Sequence, residues 1–256
     1  MATFLMIHGA WHSGWCFDSV RALLEVDGHK VIAPTLPGIG ENAKELAAVT
    51  LAKWAAYVAD LACAQGKPVI LCGHSRGGLV ISEAAERAPE AISALVYISA
   101  FLVPAGKSMN ALVASAGPPS EFEHGLSLTT NGRAFLLSKA AASAVFYNAC
   151  SEADRKKALM RLVPEPLAPL ATPLDITEAR FGSVPRHYIE CTLDRAIPLP
   201  LQRSMQAALP CVSITTLESD HSPFLCRPHD LATALDHIAQ GICKIGSDLP
   251  VGNISG

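Results

Sequence analysis

Residues 69–78 read VILCGHSRGG, a short apolar run that passes directly into the pattern G-x-S-x-G from Gly73 to Gly77. Leu79, Val80 and Ile81, followed by Ala84 and Ala85, continue it as a helix. A serine between a buried strand and a helix must occupy a sharp turn, and that turn lifts its hydroxyl above the sheet. Neighbours two places away are crowded by such a turn, so positions 73 and 77 favour glycine, which has no Cβ to clash. Ser75 is therefore the candidate nucleophile, with Gly78 letting the following helix pack closely. The bland alternative is a glycine-rich turn whose serine merely caps the helix.

The rest of the chain repeats the strand-then-helix rhythm. Apolar runs at Phe4–Ile7, Lys30–Ala33, Val69–Cys72, Ala94–Ile98, Arg186–Cys191 and Val212–Leu217 are short and bounded by Gly, Pro or polar residues, as fully buried parallel strands are. Helical patterns near 17–26, 43–65, 77–88, 199–209 and 229–242 lie between or after them. Such alternation predicts an α/β fold, with a mostly parallel sheet flanked by helices. Between Pro104 and Pro185 the rhythm stops. No strand-like run of comparable quality is present there, and helices are expected near 131–150 and 152–162, followed by Pro164, Pro166, Pro169 and Pro173. An insertion of roughly 80 residues is too long for a plain connection and must pack as a unit. The expected division is a core of 1–103 and 186–243, an inserted helical cap of 104–185, and a flexible Gly- and Ser-rich tail of 244–256.

Composition removes several function classes. The net charge is −3 and no Lys/Arg-rich block occurs, so neither nucleic acid nor an anionic membrane is an expected partner. The longest apolar stretch, 91–103, is interrupted by Ser93 and Ser99 and stopped by Pro104, too short to span a bilayer. The first residues lack a basic leader and read as a strand, so a cytoplasmic location is expected. Eight cysteines are scattered without a C-x-x-C pair or zinc spacing. They read as buried reduced thiols, in preference to a thiol nucleophile or a metal site.

A serine hydroxyl needs an imidazole to take its proton. Serine elbows of this type take an acid and then a histidine from loops after later strands. Of nine histidines, His221 alone directly follows the last strand, within ESDHSPF (218–224). His229 and His237 fall on the last helix and read as surface residues, and His8 ends the first strand and shapes its loop. The acid that orients the imidazole is expected at Asp194, in the loop after Arg186–Cys191. Glu190, inside that strand, and Asp220, beside the histidine, stay open as alternatives. Two backbone N–H groups should hold the anionic intermediate: that of Arg76, after the serine, and that of Ala10, where Gly9 allows a tight turn.

The segments HGAWHSGW (8–15), GHSRGG (73–78), CTLDRAIP (191–198) and SDHSPF (219–224), with FYNACSEAD (146–154) in the insertion, occur in the expected order. Together they resemble the α/β-hydrolases, in particular small bacterial carboxylesterases that include pyrethroid-hydrolysing enzymes, and the related plant methylesterases and hydroxynitrile lyases. The resemblance covers nearly the whole chain. It implies the α/β-hydrolase fold, a triad of Ser75, Asp194 and His221, no metal and no organic cofactor, a hydrophobic pocket beneath the cap, and a homodimer.

The expected function is hydrolysis of hydrophobic carboxylic esters, extending to bulky pyrethroid-type esters, through an acyl-enzyme. Gly9, Trp11, Phe101, Phe146 and Phe224 are the candidate substrate contacts. Leu102, Phe122, Leu126, Phe135, Leu136, Tyr147 and Phe181 also qualify, although most of these apolar residues are assigned to the cap's own packing. Three readings compete. A non-hydrolytic or slow-turnover ligand receptor can occupy the same scaffold, because fold does not fix function. The lyases of the resembled group carry Thr at the position of Gly9 and Lys at that of Ser222, so this chain lacks both groups. Finally, 38–43 fit G-x-G-x-x-A, yet follow the second strand and two prolines instead of closing a first βα turn.

Overall fold

Alternating side chains in the central strands divide the core into two faces. The computed structural model describes residues 1–40, 46, 48–116, 122 and 124–247. Strands β1 (Thr3–Ile7), β2 (Lys30–Ile32), β3 (Val69–His74), β4 (Ile92–Ile98), β8 (Arg186–Cys191) and β9 (Ser213–Leu217) form one sheet. They pair in the order β2-β1-β3-β4-β8-β9, every pair parallel. All six strands expected from the sequence are present.

Successive strand residues point to opposite faces. Leu5, Ile7, Leu71, Leu95, Tyr97 and Tyr188 join one cluster, with Trp54 and Val58 of α2 (Leu51–Cys63) and Leu79 and Val80 of α3 (Gly77–Arg87). Phe4, Met6, Ile70, Val96 and Ile98 join the other, with Val20 and Leu24 of α1 (Asp18–Val26) and with Leu231 and Leu235 of the C-terminal helix. Each face is thereby covered by helices, as a parallel sheet requires.

The segment between β4 and β8 departs from the expectation of helices alone. It holds α4 (Met109–Ala116), α5 (Lys139–Val145), α6 (Glu152–Leu159) and α7 (Leu167–Ala171), but also an antiparallel sheet of β5 (Leu126–Leu128), β6 (Ala134–Leu137) and β7 (Glu165–Pro166). The helix expected over 131–150 is broken because Leu126–Leu128 pairs back on Phe135–Leu137. Asn131 and Gly132 make the turn, with Gly132 at φ 64°, and Ser138 then caps α5 by accepting the Ala141 N–H at 3.2 Å. The core of this segment includes Leu137, Val145, Phe146 and Tyr147, and also Ala10 and Trp11 from the loop after β1.

The chain closes with α8 (Leu199–Ala208), α9 (Pro223–Cys226) and α10 (Pro228–Ser247). The tail expected from 244 is helical through Ser247; residues 248–256 lie outside the described ones, as do 41–43 of the 38–43 glycine pattern and 43–45 and 47 of the expected helix 43–65. Among the described residues no helix is long and apolar enough to cross a membrane.

Candidate active site

Three parallel strands of the main sheet, β3 and, across β4, the adjacent pair β8 and β9, end at one place, the carboxyl edge where α/β sheets bind ligands. Ser75 follows β3, Asp194 follows β8 and His221 follows β9. Ser75 has φ 52°, a strained left-handed conformation for a residue with a side chain. Its carbonyl accepts from Gly78 and Phe101 at 3.0 Å, and its N–H donates to Ile98 O at 3.3 Å. The turn is tight for a reason the sequence left partly open. A Cβ on Gly73 would lie 2.8 Å from the Gly77 carbonyl, and one on Gly77 would lie 2.6 Å from the Ile7 carbonyl. These glycines accommodate each other and strand β1 more than they accommodate the serine.

His221 Nδ1–H donates to Asp194 Oδ2 at 2.8 Å, with both groups buried. The remaining ring nitrogen, Nε2, is therefore the one left for cavity chemistry. The other oxygen of Asp194 accepts the N–H groups of Ala196 at 2.7 Å and Ile197 at 2.9 Å, and Ser99 Oγ–H donates to Oδ2. His74 Nε2–H donates to the His221 carbonyl at 2.7 Å and holds that loop from below. Ser75 Oγ makes no hydrogen bond to His221 here; both residues line one shared cavity. A long nucleophile–base contact is common before substrate binds.

The two alternative carboxylates are engaged elsewhere. Glu190 accepts from Arg203 Nη2 at 2.9 Å, Gln206 at 3.2 Å and Thr216 at 2.9 Å. Burial pushes its carboxyl up, but these donors hold it below the usual range. Asp220 accepts the Ala149 N–H at 2.8 Å and the Ser222 N–H at 2.9 Å, fastening the inserted segment beside His221. Together with Cys150 and Cys226, Asp220 forms the single group of metal-ligating side chains among the described residues. The Cys226 thiol donates to its Oδ1 at 3.1 Å, so the carboxylate already has three donors. Cys16, Cys63, Cys72, Cys150, Cys191, Cys211 and Cys226 are free; Cys63 is exposed, contrary to the expectation of burial.

The loop after β1 is fixed on every side but one. His8 Nε2 accepts from the Leu36 N–H at 3.1 Å, and its Nδ1–H donates to Gly9 O at 2.9 Å. His12 Nδ1–H donates to Ala10 O at 2.8 Å, while its Nε2 accepts from Tyr147 Oη at 2.7 Å. Burial holds the His8 and His74 rings well below the ordinary histidine range and pushes His12 down to about 4, so all three are neutral at pH 7. Arg76, completely buried, donates through Nε to Glu165 Oε1 at 2.9 Å and through Nη2 to Gly9 O at 3.0 Å. Burial pushes the Glu165 carboxyl up, opposed by the Arg76 guanidinium. The N–H groups of Ala10 and Arg76 have no acceptor among the described residues, and both residues border the cavity.

That cavity has a volume of about 430 Å³, within the range of small-molecule sites. Trp11, Phe101 and Phe146 line it as expected. Phe224 does not: its ring is turned into the core, 4.9 Å from His74 and 5.7 Å from Phe17. Gly9 does not line it either, because it packs directly under His74 and Ser75. Phe122, Leu126 and Phe135 are lining residues rather than mere cap packing, whereas Tyr147 is spent on His12, Leu136 faces out and Phe181 lies in the sheet core. Sequence reading missed Met109 and Val113 of α4, an i, i+4 pair that presents one helical face to the cavity. It also missed the Arg76–Glu165 pair, whose partners are far apart in sequence.

Comparison with known proteins agrees with this architecture. Residues 4–234 match the family described as alpha/beta hydrolase family. The chain is 32% identical to a pyrethroid hydrolase of Sphingobium wenxiniae over 97% of its own length and 94% of that protein. A chloroplastic relative from Arabidopsis thaliana, numbered 11 among its methylesterases, is 32% identical over 93% of this chain, which spans 64% of that longer protein. The crystal structure of polyneuridine aldehyde esterase superposes with a TM-score of 0.85 at 26% identity, covering 93% of this chain and 99% of that one. The family match runs from β1 through the serine turn to the last helix, and this chain belongs to the alpha/beta hydrolase family.

Proposed function

We propose that the chain is a serine carboxylesterase, a carboxylic ester hydrolase that cleaves hydrophobic esters beneath a cap formed by 104–185. The observation that carries this reading is the 2.8 Å bond between His221 Nδ1 and Asp194, with His221 and Ser75 opening on one apolar cavity. Ser75 Oγ attacks the ester carbonyl carbon as its proton passes to His221 Nε2, and Asp194 stabilises the imidazolium. The oxyanion is received by the N–H groups of Ala10 and Arg76. His221 returns the proton to the leaving oxygen, so an alcohol departs and an acyl-Ser75 ester remains. Water then attacks that ester, again giving a proton to His221, and collapse releases the acid and restores the Ser75 hydroxyl.

Trp11, Phe122 and Phe146 pack edge-on or tilted around the cavity, with ring centroids 5.4 Å apart for Trp11–Phe122 and 5.8 Å for Trp11–Phe146. Such walls favour bulky apolar acyl or alcohol groups, and a pyrethroid-type ester has that character. A cyanohydrin-cleaving role is disfavoured, because Ser222 stands where a lysine would meet the cyanide.

The test is turnover of p-nitrophenyl esters and labelling by a serine-directed phosphonate. Ser75→Ala should lower kcat by at least about 10⁴-fold and abolish labelling, with thermal melting unchanged. A wild-type protein that binds such esters tightly without turning them over would establish the receptor reading in its place.

A further inference from the structure

Of the two peptide groups that flank Ala10, three of the four hydrogen-bonding positions are occupied. The Gly9 carbonyl accepts from His8 Nδ1 and Arg76 Nη2, at 2.9 and 3.0 Å. The Ala10 carbonyl accepts from His12 Nδ1 at 2.8 Å, and the Trp11 N–H donates to Glu165 Oε2 at 3.3 Å. Only the Ala10 N–H is left over. It belongs to the same peptide plane as the Gly9 carbonyl, and in a trans peptide the two point in opposite directions. Pinning Gly9 O therefore aims the Ala10 N–H, at the residue that borders the cavity next to Ser75.

Arg76 does this from an unusual position. Its own backbone N–H is the second unpaired donor, while its side chain is entirely buried, with its guanidinium carbon 4.3 Å above the Trp54 ring. Its counter-ion, Glu165, is also entirely buried and comes from β7 of the inserted segment. Trp11 has φ 59°, a conformation that a bulky residue holds only when its surroundings impose it; Glu165 is the group that binds its N–H. A fully buried ion pair is weak evidence for stability, because apolar residues of like volume fill such a site as well or better. Here the pair has a geometric task that apolar residues cannot perform.

We propose that the Arg76–Glu165 ion pair is the positioning device of the oxyanion hole, orienting the Gly9–Ala10 peptide so that the Ala10 N–H joins the Arg76 N–H in facing the developing charge. Glu165 belongs to the inserted segment, so the hole is complete only when that segment is seated on the core. Neither side chain touches substrate. A carbonyl that accepts from a cation also polarises its peptide, which strengthens the N–H on the far side. The inference rests on the proposed roles of the Ala10 and Arg76 amides as oxyanion donors.

The test replaces both charges by apolar groups, Arg76→Met with Glu165→Leu, to avoid stranding a buried ion. Thermal melting checks that the double variant is folded. Two inhibitors of matched shape are compared: a trifluoromethyl ketone, which forms a tetrahedral oxyanion on the serine, and the parent methyl ketone, which binds mainly as the neutral carbonyl. Removal of a whole oxyanion donor costs about 10²–10³ in kcat, so misaiming one should cost about 10–100-fold. The expected result is that loss in kcat with KM nearly constant, an equal weakening of the trifluoromethyl ketone, and little change for the methyl ketone. A purely structural role would move both ketones together. If the double variant does not fold, Glu165→Gln, which keeps the volume but loses the charge and one of the two acceptor oxygens shared by Arg76 and Trp11, is measured for the same ratio. A folded variant whose ketone ratio and kcat match the wild type overturns the inference. Activity surviving in Ser75→Ala would instead overturn the reading of the site, so the two failures are separable.

Discussion

Three carboxylates, Glu190, Asp194 and Asp220, lie buried near the ends of β8 and β9, and their donors assign them different tasks. Glu190 faces Arg203, Gln206 and Thr216, Asp220 fastens Ala149, and only Asp194 meets an imidazole. Asp194→Asn should lower kcat about 10⁴-fold by presenting the wrong histidine tautomer. Glu190→Gln should leave kcat within a few-fold and lower the melting temperature, because it removes the partner of Arg203 without touching the cavity. Steady-state kinetics and melting curves on both variants check the contrast, and equal kinetic losses would refute it. The contact of Asp194 with His221 was legible in the sequence because a residue just past a strand has freedom to turn toward a neighbour, whereas Glu190 is held within β8. Phe224 misled for the opposite reason. It lies three residues beyond His221, yet sequence proximity says nothing about which side of a loop a ring occupies, and this one packs on His74 and Phe17.

At the level of elements, close backbone approaches decide what the serine turn tolerates. A Cβ on Gly78, at the start of α3, would stand 2.2 Å from the Phe101 carbonyl, in the loop after β4. Backbone cannot swing aside as a side chain can, so Gly78→Ala should destabilise the fold by about 3 kcal/mol or more. Urea denaturation would measure it, and a loss below about 1 kcal/mol would mean that the helix shifts freely. The central strands β1, β3 and β4 were readable as short apolar runs, buried almost throughout, whereas the edge strands β2 and β9 are only partly buried and were readable as short runs bounded by Gly, Pro or polar residues. The β5–β6 hairpin was not, because its strands are short and Ser127 and Leu128 are exposed. The usable signal was Asn131-Gly132, a pair that favours the tight turn of a hairpin. Strand β7, two residues containing a proline, carried no readable pattern at all. With it went any sight of Glu165 reaching Arg76.

Across the whole molecule, three uncharged histidines, His8, His12 and His74, are packed together beneath the cavity. Burial lowers each below its value in an unfolded chain, near 6.5, with His12 at about 4. Protons therefore bind the unfolded chain first, and the stabilisation is whole above about pH 6.5 and drains away as pH falls toward the folded values. At pH 5 the loss should reach about 2 kcal/mol for His12 alone, with His8 and His74 adding losses of the same sign, large against a total of about 5–15 kcal/mol. The urea midpoint should thus drop between pH 7.5 and pH 5; a flat profile would show that these rings are not buried neutral.

The distribution of the proposed triad over three strand ends has a practical corollary. Hydroxyl, imidazole and carboxylate come from separate stretches that meet only when β3, β8 and β9 have taken their registers. A reagent that captures the serine stoichiometrically would therefore count correctly assembled molecules in a refolding mixture, and the yield of labelled protein over time would trace the final docking of the sheet.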